Sequence, residues 1–176
     1  MAKRVFILVF SFLLCLSVTG CLPRVSKTDQ AENHIYEKNE TIRILNKDTD
    51  EEFGTLTITK VEVLMDEIFE AKIADGRDDK GNIKYETVNY YQIIQVFYEA
   101  NLDVSVSYDN FLVTDSLSET ATGIAYIDPQ PDIKDKKKND KNSFIVGLKN
   151  KSNFVKIDYR YLETDALPTA TINMVF

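Results

Sequence analysis

Residues 88–98 read Val-Asn-Tyr-Tyr-Gln-Ile-Ile-Gln-Val-Phe-Tyr. So dense a run of β-branched and aromatic side chains fits the pleated surface of a strand. Val88, Tyr90, Ile94, Val96 and Tyr98 fall on one face, and Tyr91, Ile93 and Phe97 on the other. Both faces are apolar, so a central strand covered on both sides is expected. The same two-residue period recurs along the chain. Residues 41–45 alternate. In 55–64, Leu56 and Ile58 share a face, and Val61 and Val63 take the same role after a slip near Thr59-Lys60 that predicts a bulge. Residues 102–106 alternate and continue in Phe111-Leu112-Val113 after a Tyr108-Asp109-Asn110 kink. Further strands are expected over 122–127, 144–148 and 154–161. Ile172, Met174 and Phe176 alternate in a tied-down last strand. Only 66–74 could hold a helix, and its pattern is poor. Seven or eight strands separated by polar turns predict an all-β antiparallel sandwich, with a closed barrel as the alternative.

Composition narrows the chemistry. The 176 residues are 44% hydrophobic and 28% charged, which suits a globular domain rather than a disordered chain. The net charge of −7 opposes binding to nucleic acid, which needs a basic face. One His, no Trp and two Cys, both within the first 21 residues, leave almost no material for thiolate or imidazole metal sites or for Cys–His or Ser–His–Asp catalysis. There is no Gly-x-Ser-x-Gly elbow, no phosphate-cradling glycine loop and no His-Glu-x-x-His helix. No cofactor and no enzymatic activity are expected.

The first 20 residues have a different character. Lys3 and Arg4 precede an apolar run from Val5 to Val18 broken only by Ser11 and Ser17. The run falls short of the roughly 18–20 apolar residues of a membrane-spanning helix and ends in small residues, as a secretory signal does. A retained membrane anchor is the alternative. Val18-Thr19-Gly20-Cys21 resembles the lipobox of bacterial lipoproteins. That resemblance implies cleavage between Gly20 and Cys21 and a diacylglyceryl thioether, with its fatty acyl chains, on Cys21. Cleavage removes Lys3 and Arg4, two positive charges and no negative ones, taking the net charge from −7 to −9. Cys15 leaves with the leader, so no disulfide can staple the domain. The expected organisation is a signal peptide over 1–20, a solvated flexible tether over 21–40 that contains His34, and one β-sandwich over 41–176.

The body of the chain resembles the extracellular immunoglobulin-like domains of Gram-positive surface lipoproteins, related to the mycobacterial immunoprotective antigen fold. The residues that carry the resemblance begin with Gly54-Thr55-Leu56-Thr57-Ile58-Thr59-Lys60-Val61-Glu62-Val63. Tyr91 to Tyr98, Asn101, Leu102, Val104, Tyr108-Asp109-Asn110-Phe111, Val113 and Asp115 match the central segment. Phe144-Ile145-Val146-Gly147-Leu148 and Val155-Lys156-Ile157-Asp158-Tyr159 match the closing pair. The resemblance implies an immunoglobulin-like sandwich on the outer face of the cell membrane, in a family whose members mostly lack an assigned activity, and supplies no catalytic residues.

Two long connections remain. Residues 66–87 carry net −3 and residues 128–142 net +1. Asp75, Asp78 and Asp79 could contribute to a loose cation site, but their spacing fails the EF-hand frame and a solvated acidic turn fits better. Lys134, Lys136, Lys137, Lys138 and Lys141 make a partner-facing loop tip, diluted by Asp132, Asp135 and Asp140. Because successive connections of an antiparallel sandwich alternate between its ends, the acidic connection is expected where the chain enters, and the lysine-rich one at the far end. They would then form no common site. The nine Tyr and ten Phe mostly occupy alternating strand positions, where core aromatics belong. The expectation is a lipid-anchored extracytoplasmic domain, held to the membrane through Cys21, that binds a protein or another envelope component. A structural accessory subunit of an envelope or transporter complex is the alternative, followed by a hydrolase with an unrecognised site.

Overall fold

A computed structural model describes residues 26–28, 34–46, 49–102, 104–131, 133, 142–161 and 169–176. Two sheets pack face to face as an all-β sandwich, not closed into a barrel. The larger sheet runs in the order β1 (Ser26–Thr28), β3 (Thr41–Asn46), β4 (Glu52–Met65), β7 (Gln92–Leu102), β10 (Ser143–Leu148), β9 (Thr122–Gly123), antiparallel throughout. The smaller runs β2 (Ile35–Tyr36), β12 (Ala170–Val175), β11 (Phe154–Tyr159), β8 (Phe111–Asp115), antiparallel except where β2 lies parallel to β12. A separate hairpin, β5 (Phe69–Arg77) with β6 (Ile83–Tyr90), completes the set. Among the described residues no helix is long and apolar enough to cross a membrane.

Alternation places the core as period two requires. Ile42, Ile44, Leu56, Ile58, Ile94, Val96, Val146 and Leu148 from the large sheet meet Val113, Val155, Ile157, Tyr159, Ile172 and Met174 from the small one, each 2% exposed or less. The slip near Thr59-Lys60 is a register shift between Ile58 and Lys60, and it returns Val61 to the core. Val63 does not follow. It lies opposite Ile94, on the same face as Val61, but near the end of the strand, just before a second register shift between Val63 and Met65, and it is 43% exposed.

The run at 88–98 departs from its expected form. It is two strands, because the chain turns at Tyr91, whose N–H donates to the Leu148 carbonyl at 2.9 Å. The turn resets the phase. Ile94, Val96 and Tyr98 enter the main core, whereas Val88 and Tyr90 join Ile93 in a second cluster with Ala71, Ile127 and Ile133. That cluster seals the hairpin against the outer face of the large sheet, so β7 is central and covered on both sides. Tyr90 lies close over Gly147, where a Cβ would come within 2.6 Å of the ring.

Other expectations need correction. Residues 66–87 are neither helix nor open loop: β5 and most of β6 lie there. The strand expected over 102–106 is the end of β7, which stops at Leu102, and that over 122–127 is the short β9 followed by a 3₁₀ turn, Ile124–Tyr126. The tether expected over 21–40 is structured in part. Ser26–Thr28 pairs with β3, and Tyr36 is 1% exposed in the main core. His34 stands edge-on to Tyr36 at 4.6 Å and bonds Glu40 through Nε2 at 2.8 Å.

Candidate functional site

Antiparallel pairing puts the turn between β3 and β4 at one end of the sandwich, with the connections after β7, β9 and β11. At this end the aromatic side chains form a continuous ladder. Tyr159 meets Phe111 at 5.4 Å, Phe111 stacks on Phe144 at 4.8 Å, Phe144 meets Tyr108 at 5.6 Å, and Tyr108 meets Tyr126 at 6.2 Å. The ladder begins in the core and ends in solvent, where Tyr126 is 59% exposed.

Local chemistry fixes Tyr108 in place. It opens a 3₁₀ turn, Tyr108–Asn110, capped by Ser107, whose Oγ accepts from the Asp109 N–H at 3.3 Å. Asn110 returns its Oδ1 to the Ser107 N–H at 2.9 Å and donates from Nδ2 to the Arg160 and Tyr161 carbonyls at 3.1 and 3.3 Å. This buried amide ties the turn to the end of β11. The Tyr108 ring rests on Gly123, where a Cβ would lie 2.7 Å from it. Burial pushes the Tyr108 phenol above its ordinary value of 10.0, with the Gly123 backbone opposing. At neutral pH it is therefore an uncharged hydroxyl. The Tyr126 hydroxyl donates to Asp109 Oδ1 at 3.3 Å, which braces the outer ring.

The hairpin supplies the facing wall. The Lys72 N–H donates to the Asp128 carbonyl at 2.6 Å, and the Asp128 N–H donates back to Lys72 at 3.1 Å. Between the two walls lies a groove of about 400 Å³, walled by Tyr85 and Ile73 on one side and by Tyr108, Tyr126 and Thr122 on the other. Tyr85 is 58% exposed. The groove is open, lined by rings and methyl groups together with Lys72 and Asp128, with phenol hydroxyls and the Thr122 hydroxyl along its sides. Such a surface takes an amphipathic ligand, stacking on its apolar parts and hydrogen-bonding its polar ones. A second depression of about 350 Å³ at the other end is lined by Val63, Gln92, Lys151, Ser152 and Phe176. Its polar groups already serve each other: Lys151 meets Asp66 at 2.5 Å, Gln92 Nε2 donates to Asp66 at 3.1 Å, and the Ser152 N–H donates to Gln92 at 2.9 Å.

Of the residues singled out from sequence, Gly20, Cys21, Lys134, Lys136, Lys137, Lys138 and Lys141 lie outside the described residues. Asp75 ends up in β5, and Asp78 and Asp79 in the hairpin turn. Asp78 Oδ1 accepts from the Lys80 and Asn82 N–H groups, each at 2.8 Å, and Oδ2 accepts from Asn82 Nδ2 at 3.0 Å. These bonds, those to Asn82 foremost, hold its carboxyl below the ordinary 3.8. They are the hydrogen bonds of a turn. No cluster of three metal-ligating side chains occurs among the described residues. The two long connections do root at opposite ends of the sandwich, but they are not separate. The hairpin folds back along the large sheet, and the Lys72–Asp128 pairing joins it to the second connection. The tyrosine groove lies at that junction. Neither Tyr85 nor Tyr126 was singled out by the sequence, where a tyrosine at a strand-like position reads as core.

No family model matches the chain, and no curated protein and no solved structure matches it.

Proposed function

We propose that this chain is a lipid-anchored binding module on the extracytoplasmic face of a cell membrane, and that it offers the tyrosine groove to a protein partner in the envelope. The groove carries the reading. Three rings stand along an open cleft, one built outward from the core by a stacked ladder, and exposed aromatic clusters on a rigid support are a common form of recognition surface. The leader supports the location. Two acyl chains on Cys21 would hold the protein durably, at about 0.8 kcal/mol per buried methylene, where one chain binds only marginally.

Two measurements test the two halves. Cys21→Ala is expected to abolish lipid labelling and to release the chain or strand it unprocessed. Normal processing and membrane fractionation of this variant would overturn the anchor. A photoreactive phenylalanine in place of Tyr126 is expected to form a covalent adduct with a second polypeptide on intact cells. The same group in place of Leu117, 69% exposed at the other end, is the control. Equal adducts from both positions, or none from Tyr126, would overturn the groove.

A further inference from the structure

Strand β6 gives one edge to β5 and leaves the other unpaired among the described residues. The groups on that free edge can be read from β5. The backbone of Lys72 bonds away from the hairpin, to Asp128, so the Lys72–Thr87 pair is one of the non-hydrogen-bonded pairs of an antiparallel ladder. The N–H and C=O of Thr87 therefore point outward as well. Period two extends this to Ile83 and Tyr85. The hairpin turn gives the same phase, because the Asn82 carbonyl accepts from the Asp78 N–H at 2.8 Å and so faces inward. The irregularity between Ala74 and Arg77 places the extra residue on β5, leaving β6 regular. Proteins blunt open edges with proline, bulges or charge. Here Ile83 and Tyr85, 48% and 58% exposed, stand on an edge without proline or bulge.

We infer that β6 pairs antiparallel with β6 of a second copy of this chain, about a two-fold axis at Tyr85. Charge selects the occupant and the register. Centred on Tyr85, the pairing sets Lys84 of each copy opposite Glu86 of the other, and Ile83 opposite Thr87. The Lys84–Glu86 pairs are then non-hydrogen-bonded pairs, in which side chains approach most closely. Both residues are exposed, and neither has an ion-pair partner within the chain among the described residues. Centring on Glu86 would oppose two glutamates. Centring on Thr87 would set Lys84 against the buried Tyr90, beside the corner at Tyr91. The contact is a short strip, below the roughly 1,000 Å² of a stable interface. It forms readily between copies confined to one surface and weakly in dilute solution. The geometry of the pairing rests on the hairpin alone and holds whether or not the groove binds a partner, while the confinement that favours it rests on the proposed lipid anchor.

Trapping by disulfide tests it in the full chain, in the cells that make it. Two differently tagged copies are coexpressed, one Lys84→Cys and one Glu86→Cys. Across a non-hydrogen-bonded pair the Cα atoms lie about 4.5 Å apart, inside the disulfide range of about 4.4–6.8 Å. Like positions lie two residues out of register and exceed it. Mild oxidant is therefore expected to give a mixed dimer carrying both tags, and no dimer from either variant alone beyond what native Cys15 and Cys21 give. Lys84→Glu is expected to reduce amine-independent crosslinking of the chain to itself, and Lys84→Glu with Glu86→Lys to restore it. Absence of the mixed dimer, equal dimers from each variant alone, or a disulfide adduct with another protein instead would overturn the inference.

Discussion

Gly54 shows how much one position can be constrained. It lies in β4 at φ +140°, and a Cβ built there would fall 1.9 Å from the Asn101 carbonyl oxygen of the paired strand. Both the backbone conformation and the contact exclude a side chain, and the contact is with backbone that cannot rotate away. Gly54→Ala is expected to cost about 3 kcal/mol or more, seen as a lower urea midpoint at constant slope. Gly81 is the comparison. Its φ is +83°, but nothing lies within 4 Å of the added Cβ, so Gly81→Ala should cost only about 1 kcal/mol. Similar losses at both sites would mean that the Gly54 contact relaxes. The groove depends on residues of the same kind. Gly123 admits the Tyr108 ring, and Asn110 holds the turn from which that ring projects.

Among the elements, the hairpin β5–β6 is attached by one small cluster, while β7 shares two cores. Tyr90 is its largest buried side chain. Tyr90→Ala should cost about 3–5 kcal/mol within the hairpin, the range for deleting a buried ring. Hydrogen exchange of the β5 and β6 amides should then rise, while the amides of residues 94–98 stay protected. If β7 loses protection to the same extent, the hairpin is not a separate unit. The same element marks where legibility ended. Strands β3, β4, β7, β8, β10, β11 and β12 each left a period in the sequence, although the runs at 88–98, 102–106 and 122–127 did not keep their expected bounds. The buried face of β5 is Phe69, Ala71 and Ile73, which do alternate with Glu70 and Lys72, but the period lasts only five residues and runs straight into the polar stretch 75–82, so it reads as part of a connection. The corner at Tyr91 is set by the Leu148 carbonyl, a tertiary partner that no local pattern announces. Tyr85 and Tyr126 were illegible as site residues for a related reason. Tyrosine has an apolar body and a polar tip, so it suits a core and a binding surface equally.

On the scale of the molecule, the acid behaviour of the fold is set partly at the end opposite the groove. Lys151 foremost, and then Gln92, hold the Asp66 carboxyl below its ordinary 3.8 by hydrogen bonding, against some desolvation. A carboxyl lowered in the folded state adds stability above its unfolded value. That contribution is lost as pH falls through the folded value. Asp66→Asn should therefore lower the melting temperature slightly at neutral pH and leave it unchanged at the lowest pH, flattening the acid limb below about pH 4. An equal offset at every pH would assign the effect to packing. The pairing of β2 with β12 has a different consequence, one of time. A chain made from its N-terminus emerges with Ile35 and Tyr36 long before Thr171 and Ile172, the residues beside which they lie. Until Ala170–Val175 arrives, β2 has no neighbour, β11 keeps one bare edge, and the main core lacks Ile172 and Met174. Closing a contact between segments so distant in sequence is intrinsically slow. The newborn sandwich therefore waits, open and vulnerable to proteases and to its own kind, for its last strand.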